Sequence, residues 1–295
     1  MPPLLRALRP RQWSKNLVVF IGLAFSGHAS DTSLLIKAAI VFACFSMAAS
    51  AIYLLNDLMD CERDRAHPLK RHRMIASGAV SSTAALTASA VLASAALLVT
   101  WTVLPAIMPA ISGYIVLQIL YSVRLKHVVI LDVFCIATGF LLRVLAGVWA
   151  IGVPLSPWLV VCSVEIALFL ALCKRRAELF ALGENTSTRP ALGKYAGSGL
   201  DLMIAVVSSS CVVTYALYTL LPSTLLQLDV VMDSRAGQPG MVWTLPFVLY
   251  GMLRYLHLVY RQDLGQNPNR LLFTDFPLLV SILGYLVVVT KVVYL

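Results

Sequence analysis

Asn56, Asp57, Asp60 and Asp64 close an apolar run, and the chain turns from acid to base directly after them. In YLLNDLMDCERDRAHPLKRHRMIASG, residues 53–78, the bases are Arg63, Arg65, Lys70, Arg71 and Arg73, with His72 among them. On a helix at roughly 100° per residue, Tyr53, Asp57, Asp60 and Asp64 fall within roughly 100° of Asn56, whereas Glu62 lies near 240°. Carboxylates this close repel one another unless a cation sits between them. Mg²⁺ is usually held by one or two carboxylates and completed by phosphate oxygens and water. Asn56 and Asp60 are therefore expected as metal ligands, with Asp57 and Asp64 as additional or water-mediated ones. Lys70, Arg71 and Arg73 then meet the phosphate charge that the metal leaves. A diphosphate bound with Mg²⁺ suits this arrangement. The plainer alternative is a solvated helix end in which acids and bases pair at i,i+4 and the bases only mark one side of a membrane.

The elements that position these residues are membrane helices. Of the 295 residues, 59% are hydrophobic and 13% charged, with a mean hydropathy of +0.84, too apolar for an ordinary soluble domain. A spanning helix needs about 20 mostly apolar residues. Nine runs qualify, roughly 15–30, 34–58, 82–103, 105–122, 128–151, 156–180, 200–222, 241–260 and 274–294. β-Barrel alternation is absent from them. The N-terminus and the loops after the second, fourth, sixth and eighth runs hold 18 Lys and Arg residues, and the opposite loops hold almost none beyond Arg235. Positive residues stay inside, so the N-terminus, the 53–78 stretch, Lys126 and the stretch KRRAEL at 174–179 are expected on one cytoplasmic face of the cell membrane. The basic start, MPPLLRALRPRQWSKN, reads as a retained interfacial segment without a cleavage site. Cys44, Cys61, Cys135, Cys162, Cys173 and Cys211 form no C-x-x-C pair and read as packing residues.

The pattern N-D-x-x-D-x-x-x-D at 56–64 resembles the first aspartate-rich motif of the UbiA superfamily of intramembrane prenyltransferases. The similarity is greatest to its decaprenyl-phosphate phosphoribosyltransferase branch, through RPRQWSKN at 9–16, HPLKRHRMIASG at 67–78, YSVRLKH at 121–127, FLLRVLAG at 140–147 and KRRAEL, and more weakly RPALGKY at 189–195 and LRY at 253–255. The resemblance implies an all-α integral membrane protein, a bundle of nine transmembrane helices with a cytoplasm-facing central cavity, forming one catalytic domain over residues 1–295. It implies transfer of 5-phosphoribose from 5-phosphoribosyl 1-diphosphate to a polyprenyl phosphate, with Mg²⁺, release of diphosphate and a β-linked product for arabinan-containing cell walls. Superfamily relatives that prenylate aromatic rings carry a second D-x-x-x-D motif after the sixth span. Here that loop, CKRRAELFALGENTSTRPALGKY, has no aspartate. Its bases suit anions that bring no metal of their own, such as a ribose 5-phosphate and a lipid phosphate. Met74 and Cys173 stand where the branch usually has proline and glycine.

Substrate-binding roles are expected for Lys15, Tyr53, Lys70, Arg71, Arg73, Lys126, Arg143, Lys174, Arg175, Arg189 and Tyr195, and catalytic ones for Asp57, Asp60 and Asp64. The acceptor phosphate is largely ionised near pH 7, so it needs orientation more than a strong base. Asp132, Arg143, Glu165 and Arg254 lie within the apolar runs and must face the bundle interior, either paired as structural glue or, for Asp132 and Arg143, lining the polar cavity. Gly139 and Gly147 are expected to permit close helix packing. No nucleic acid is expected as a partner, and the oligomeric state is open. Two rival readings are an aromatic prenyltransferase using a prenyl diphosphate and, in a different class, a carrier of anionic lipids.

Overall fold

The computed structural model describes residues 2–66, 70–182, 197–221, 240–261 and 274–295, and every regular element among them is helical. In chain order these are α1 (Pro3–Ala7), a 3₁₀ segment (Pro10–Phe20), α2 (Ile21–Phe25), α3 (Thr32–Met59), α4 (Cys61–Ala66), α5 (Ser82–Val103), α6 (Met108–Val123), α7 (Leu131–Ile151), α8 (Pro157–Leu182), α9 (Gly197–Leu220), α10 (Leu245–Tyr260) and α11 (Phe276–Tyr294). Eight described spans are long and apolar enough to cross a bilayer. Their ends carry the expected signals. Asp31, Ser81 and Asp275 cap α3, α5 and α11 by accepting backbone N–H bonds, and Pro157 opens α8. All six cysteines are free thiols.

The first apolar run differs from the expected spanning α-helix. Residues 10–20 form an unusually long 3₁₀ segment before α2. Three residues per turn place Trp13, Asn16 and Val19 along one edge, and each meets a partner at that period. Trp13 Nε1 donates to Ser50 Oγ (3.0 Å) and Asn16 Nδ2 to Ser46 Oγ (3.0 Å), two serines one turn apart on α3. The Val19 carbonyl packs against Gly147 of α7 so closely that a Cβ there would collide with it. Gly147 thus does what small residues do between membrane helices, which lack a hydrophobic drive to associate and depend on close approach.

The helices form two compact units, Met1–Val123 with Leu142–Val153, and Arg124–Leu141 with Pro154–Leu295. In the first, α3 is the central helix, packed chiefly on α5 and also on α6 and the 3₁₀ segment. Its core is rich in alanine, with Ala48, Ala49, Ala96, Ala110 and Ala146 around Phe45 and Tyr114. In the second, α8 packs on α9 and α10 on α11 around larger side chains, including Phe169, Leu200, Ile204, Tyr255 and Leu258.

Candidate active site

In the first unit, α3 ends at Met59 with Asp60 as its C-cap, and α4 resumes at Cys61. The i,i−4 backbone bonds run across the junction, from Asp60 N to Asn56 O (3.0 Å) and from Asp64 N to Asp60 O (2.8 Å). Helical phase is therefore kept, and the expected stripe forms. Asp57 and Asp64 are buried and share one guanidinium, with Arg73 Nη1 donating to Asp57 Oδ1 (3.0 Å) and Asp64 Oδ2 (2.7 Å). A second guanidinium, that of Arg9, also pairs with Asp57 Oδ1 and lies 5.1 Å from the Tyr53 ring centroid. Both arginine side chains are 30% exposed, while those of Asp57 and Asp64 are 5% and 4% exposed. The cation required between the acids is thus supplied by arginine. Glu62, off the stripe, is exposed.

The basic turn that follows is firmly built despite Met74. Ser77 N donates to Arg73 O (2.8 Å), Gly78 N to Ile75 O (3.0 Å) and Val80 N to Met74 O (2.9 Å). Ile75 is buried, Arg65 Nε donates to Ala76 O (3.1 Å), and Gly78 takes the positive φ (79°) that closes the turn. Lys70 and Arg71 lie in a short 3₁₀ turn on the same loop, Arg71 exposed and Lys70 half-buried, and Lys15 is exposed on the first 3₁₀ segment. Arg143 sits deeper. Its Nε donates to Asn16 Oδ1 (2.7 Å) and its Nη2 to Tyr114 OH (2.9 Å), with the Tyr114 ring centroid 4.6 Å from the guanidinium.

The second unit carries the other basic cluster. Arg175, 4% exposed, donates to Asp132 Oδ2 and Glu178 Oε2, both at 2.6 Å. Arg176 donates to Asp201 Oδ1 (2.8 Å) and the Val259 carbonyl (3.3 Å) and stacks on Tyr260, whose hydroxyl also donates to Asp201 (2.7 Å). This knot ties α8, α9 and α10 together at one end. Lys174 is more exposed and lies 3.8 Å from Glu178. Lys126 is half-buried in the turn Leu125–His127 before α7. Arg189 and Tyr195 lie outside the described residues.

The intramembrane charges all meet polar groups among the described residues. Asp132 pairs with Arg175, and Arg143 donates to the neutral Asn16 and Tyr114. Glu165 Oε1 accepts from Ser210 (2.5 Å) and Thr214 (3.1 Å), and among the described residues no cation pairs with it. Arg254 is paired, through two bonds to Asp275 (3.1 and 2.8 Å). Sequence reasoning missed Arg9, Asn16, Asp201 and Tyr260 as parts of these clusters. For Arg9 and Asn16 the signal lay in RPRQWSKN, a polar stretch at the start of an apolar run.

A divalent cation fits the acidic end. Among the described residues no three His, Cys, Asp or Glu side chains converge as a ready cage, but Mg²⁺ needs fewer protein ligands than that. Asn56 Oδ1 is buried without a hydrogen-bond partner, and both arginines on Asp57 use Oδ1. A buried acceptor left without a donor costs free energy unless something completes it. A hard cation is one group that would, with Asp60 one helical turn on.

Residues 16–276 match the UbiA prenyltransferase family. The decaprenyl-phosphate phosphoribosyltransferase of Mycolicibacterium smegmatis is 33% identical over 297 residues, covering 99% of this chain and 92% of the relative. The enzyme of the same name from Mycobacterium tuberculosis is 35% identical over 72% of each chain. Among solved structures, a UbiA homologue from Archaeoglobus fulgidus bound to GPP and Mg²⁺ superposes with a TM-score of 0.70 at 18% identity, over 99% of both chains, a likeness of fold.

Proposed function

We infer the function from the premise that the chain belongs to the UbiA prenyltransferase family and is a multi-pass membrane protein. It transfers phosphoribose to decaprenyl phosphate or a similar polyprenyl phosphate. The donor is 5-phosphoribosyl 1-diphosphate, and diphosphate leaves. The observation that carries this is identity of about a third with phosphoribosyltransferases of that name, along nearly the whole chain in one case. The aspartate-free loop after α8 supports it, since the second aspartate pair that would suit another metal-bound diphosphate is missing there.

Within one catalytic domain, Asn56 and Asp60 would hold Mg²⁺, with Asp57 and Asp64 completing the set. When bound, the metal supplies positive charge to the departing diphosphate. Lys70, Arg71 and Arg73 meet the remaining phosphate charge, and the Tyr53 hydroxyl bonds the diphosphate or a ribose hydroxyl. Positive charge develops at the ribose C1 as its bond to oxygen breaks, as in glycosyl transfer generally. Lys15, Lys126, Arg143, Lys174, Arg175, Arg189 and Tyr195 bind and orient the ribose 5-phosphate and the acceptor phosphate, and the attack gives a β-linked product for cell-wall arabinan. The acceptor's second ionisation lies near pH 6, so its oxygen is already nucleophilic at pH 7.

The 3₁₀ segment and α2 reach roughly 30 Å, since 3₁₀ rises about 2.0 Å per residue. We count them as the first of nine spans around a cytoplasm-facing central cavity, in the cell membrane with the N-terminus inside. The test uses purified protein, labelled 5-phosphoribosyl 1-diphosphate, Mg²⁺ and decaprenyl phosphate, with and without Asp60→Asn. Magnesium-dependent lipid-linked phosphoribose that vanishes in the variant is expected. Its absence, with product formed instead from a prenyl diphosphate and an aromatic acceptor, would replace this reading by aromatic prenylation. Lipid movement without bond cleavage would replace it by a carrier.

A further inference from the structure

Arg9 is held in a conformation that its own backbone resists. Its φ is 55°, in the left-handed region that residues with a Cβ seldom adopt. It also precedes Pro10, and a following proline steers a residue toward extended backbone. Two preferences are overridden at one position. The groups that hold it are the Asp57 carboxylate and the Tyr53 ring on its side chain, and the Ser50 hydroxyl, which donates to the neighbouring Leu8 carbonyl (3.1 Å). Strained residues that persist in this way concentrate where a side chain must stand in one place.

Asp57 Oδ1 accepts from both Arg9 and Arg73, whereas Arg73 alone also reaches Asp64. If Asp57 turns to a divalent cation, two guanidinium groups and a dication compete for one carboxylate. Arg73 keeps Asp64; among the described residues Arg9 meets no carboxylate besides Asp57, and it is the group displaced. With 30% of its side chain exposed, it is able to move. Its fork of donors matches a diphosphate better than any nearby lysine does.

We propose that Arg9 is a further diphosphate-binding residue, held ready by Asp57 and passed to the diphosphate when Asp57 turns to a divalent cation. This rests on the reading that the acidic end binds Mg²⁺ with a diphosphate. Release also relaxes the Arg9 backbone, and the movement is coupled to Trp13, whose Nε1 donates to the same Ser50 hydroxyl (3.0 Å).

The test titrates purified full-length protein in detergent with inorganic diphosphate in Mg²⁺, and separately with Mg²⁺ alone, as wild type, Arg9→Lys and Arg9→Ala. Calorimetry should show diphosphate affinity reduced roughly 10- to 100-fold in Arg9→Ala and less in Arg9→Lys. Affinity for Mg²⁺ alone should rise in Arg9→Ala, because a competing cation has left Asp57. Trp13 fluorescence, taken as the difference from Trp13→Phe, should change on adding Mg²⁺ and diphosphate to wild type and not to Arg9→Ala. Unchanged diphosphate affinity in Arg9→Ala overturns the proposal, as does a joint fall in diphosphate and Mg²⁺ affinity, the mark of a purely structural pair. If Arg9→Ala does not fold, wild-type diphosphate affinity in Arg9→Lys overturns it. Wild-type protein that binds diphosphate but transfers no phosphoribose removes the proposed function and leaves this inference standing. Wild-type protein that binds no diphosphate removes both.

Discussion

The acidic end of α3 and the basic end of α8 are both built from aspartate–arginine pairs, but they enclose the arginines to different degrees. At the first, the acids are buried and the arginines half-exposed, so Arg9 and Arg73 neutralise Asp57 and Asp64 yet keep access to solvent. At the second, the arginines are buried too, with Arg175 between Glu178 and the buried Asp132 and Arg176 between Asp201, Val259 and the Tyr260 ring. A guanidinium that can reach water can change partner. One that is enclosed cannot do so without leaving a carboxylate unpaired in a medium of low polarity. Exposure thus distinguishes bases able to change partner from bases that hold helices, and near α8 it leaves Lys174 more open to an anion than Arg175.

The largest effect should come from breaking an enclosed pair. Arg175→Ala leaves Asp132 buried without its cation and should lower stability by about 3–5 kcal/mol, seen as early unfolding in a detergent thermal melt. The double change Asp132→Leu with Arg175→Met should recover most of it. Wild-type stability in Arg175→Ala with only a raised KM would erase the distinction between the two ends. Next is Asp60→Asn, at the end where ligand chemistry is assigned. Turnover should fall on the order of 10²–10³-fold while the melting temperature stays near wild type. A variant that unfolds instead would make this acid a structural one.

Asn56→Ala sharpens the metal assignment. Because Asn56 Oδ1 is buried without a partner, its removal should leave stability unchanged or slightly raised. Affinity for Mg²⁺, measured by calorimetry, should fall on the order of tenfold. Unchanged Mg²⁺ affinity would remove Asn56 from the ligand set. The smallest effect is expected at Asp275, whose carboxyl is held below its usual range chiefly by its hydrogen bond from Arg254. A depressed carboxylate stabilises the fold above its unfolded pKa of about 3.9 and loses that contribution as pH falls through the folded value. Asp275→Asn keeps a capping side chain, so it should melt slightly earlier than wild type at pH 7, with the gap closing in acid. A gap that persists below the folded pKa would assign the loss to the cap and not to the ion pair.

Much of the acidic end was legible because it depends on helical phase alone. One period placed Tyr53, Asn56, Asp57, Asp60 and Asp64 on a stripe and Glu62 off it, and the backbone bonds across the Asp60 junction preserve that phase. The basic end was legible as a cluster and not as a division of labour. Arg175 and Arg176 are neighbours of one type in the sequence. Their partners, Asp132, Asp201 and Tyr260, are 25 or more residues away in sequence, beyond the reach of any local period. The first apolar run misled for a related reason. Its composition allows an α-helix, but Ser46, Ser50 and Gly147 offer partners at a three-residue period, and side-chain bonds together with close packing outweigh a modest local preference.

By itself the sequence determined the apolar spans, the side of the membrane expected to carry charge, the acidic stripe and the small residues that let helices approach. Each of these follows from composition or a single helical period, because transfer into lipid and rotation about a helix axis act residue by residue. Only the tertiary structure decided which charges are enclosed, that Arg73 bridges Asp57 and Asp64, and that Arg9 is held against its own backbone preference on Asp57. Those depend on distances between segments remote in sequence, and burial, which sets whether an ion pair can open, is a property of everything packed around it.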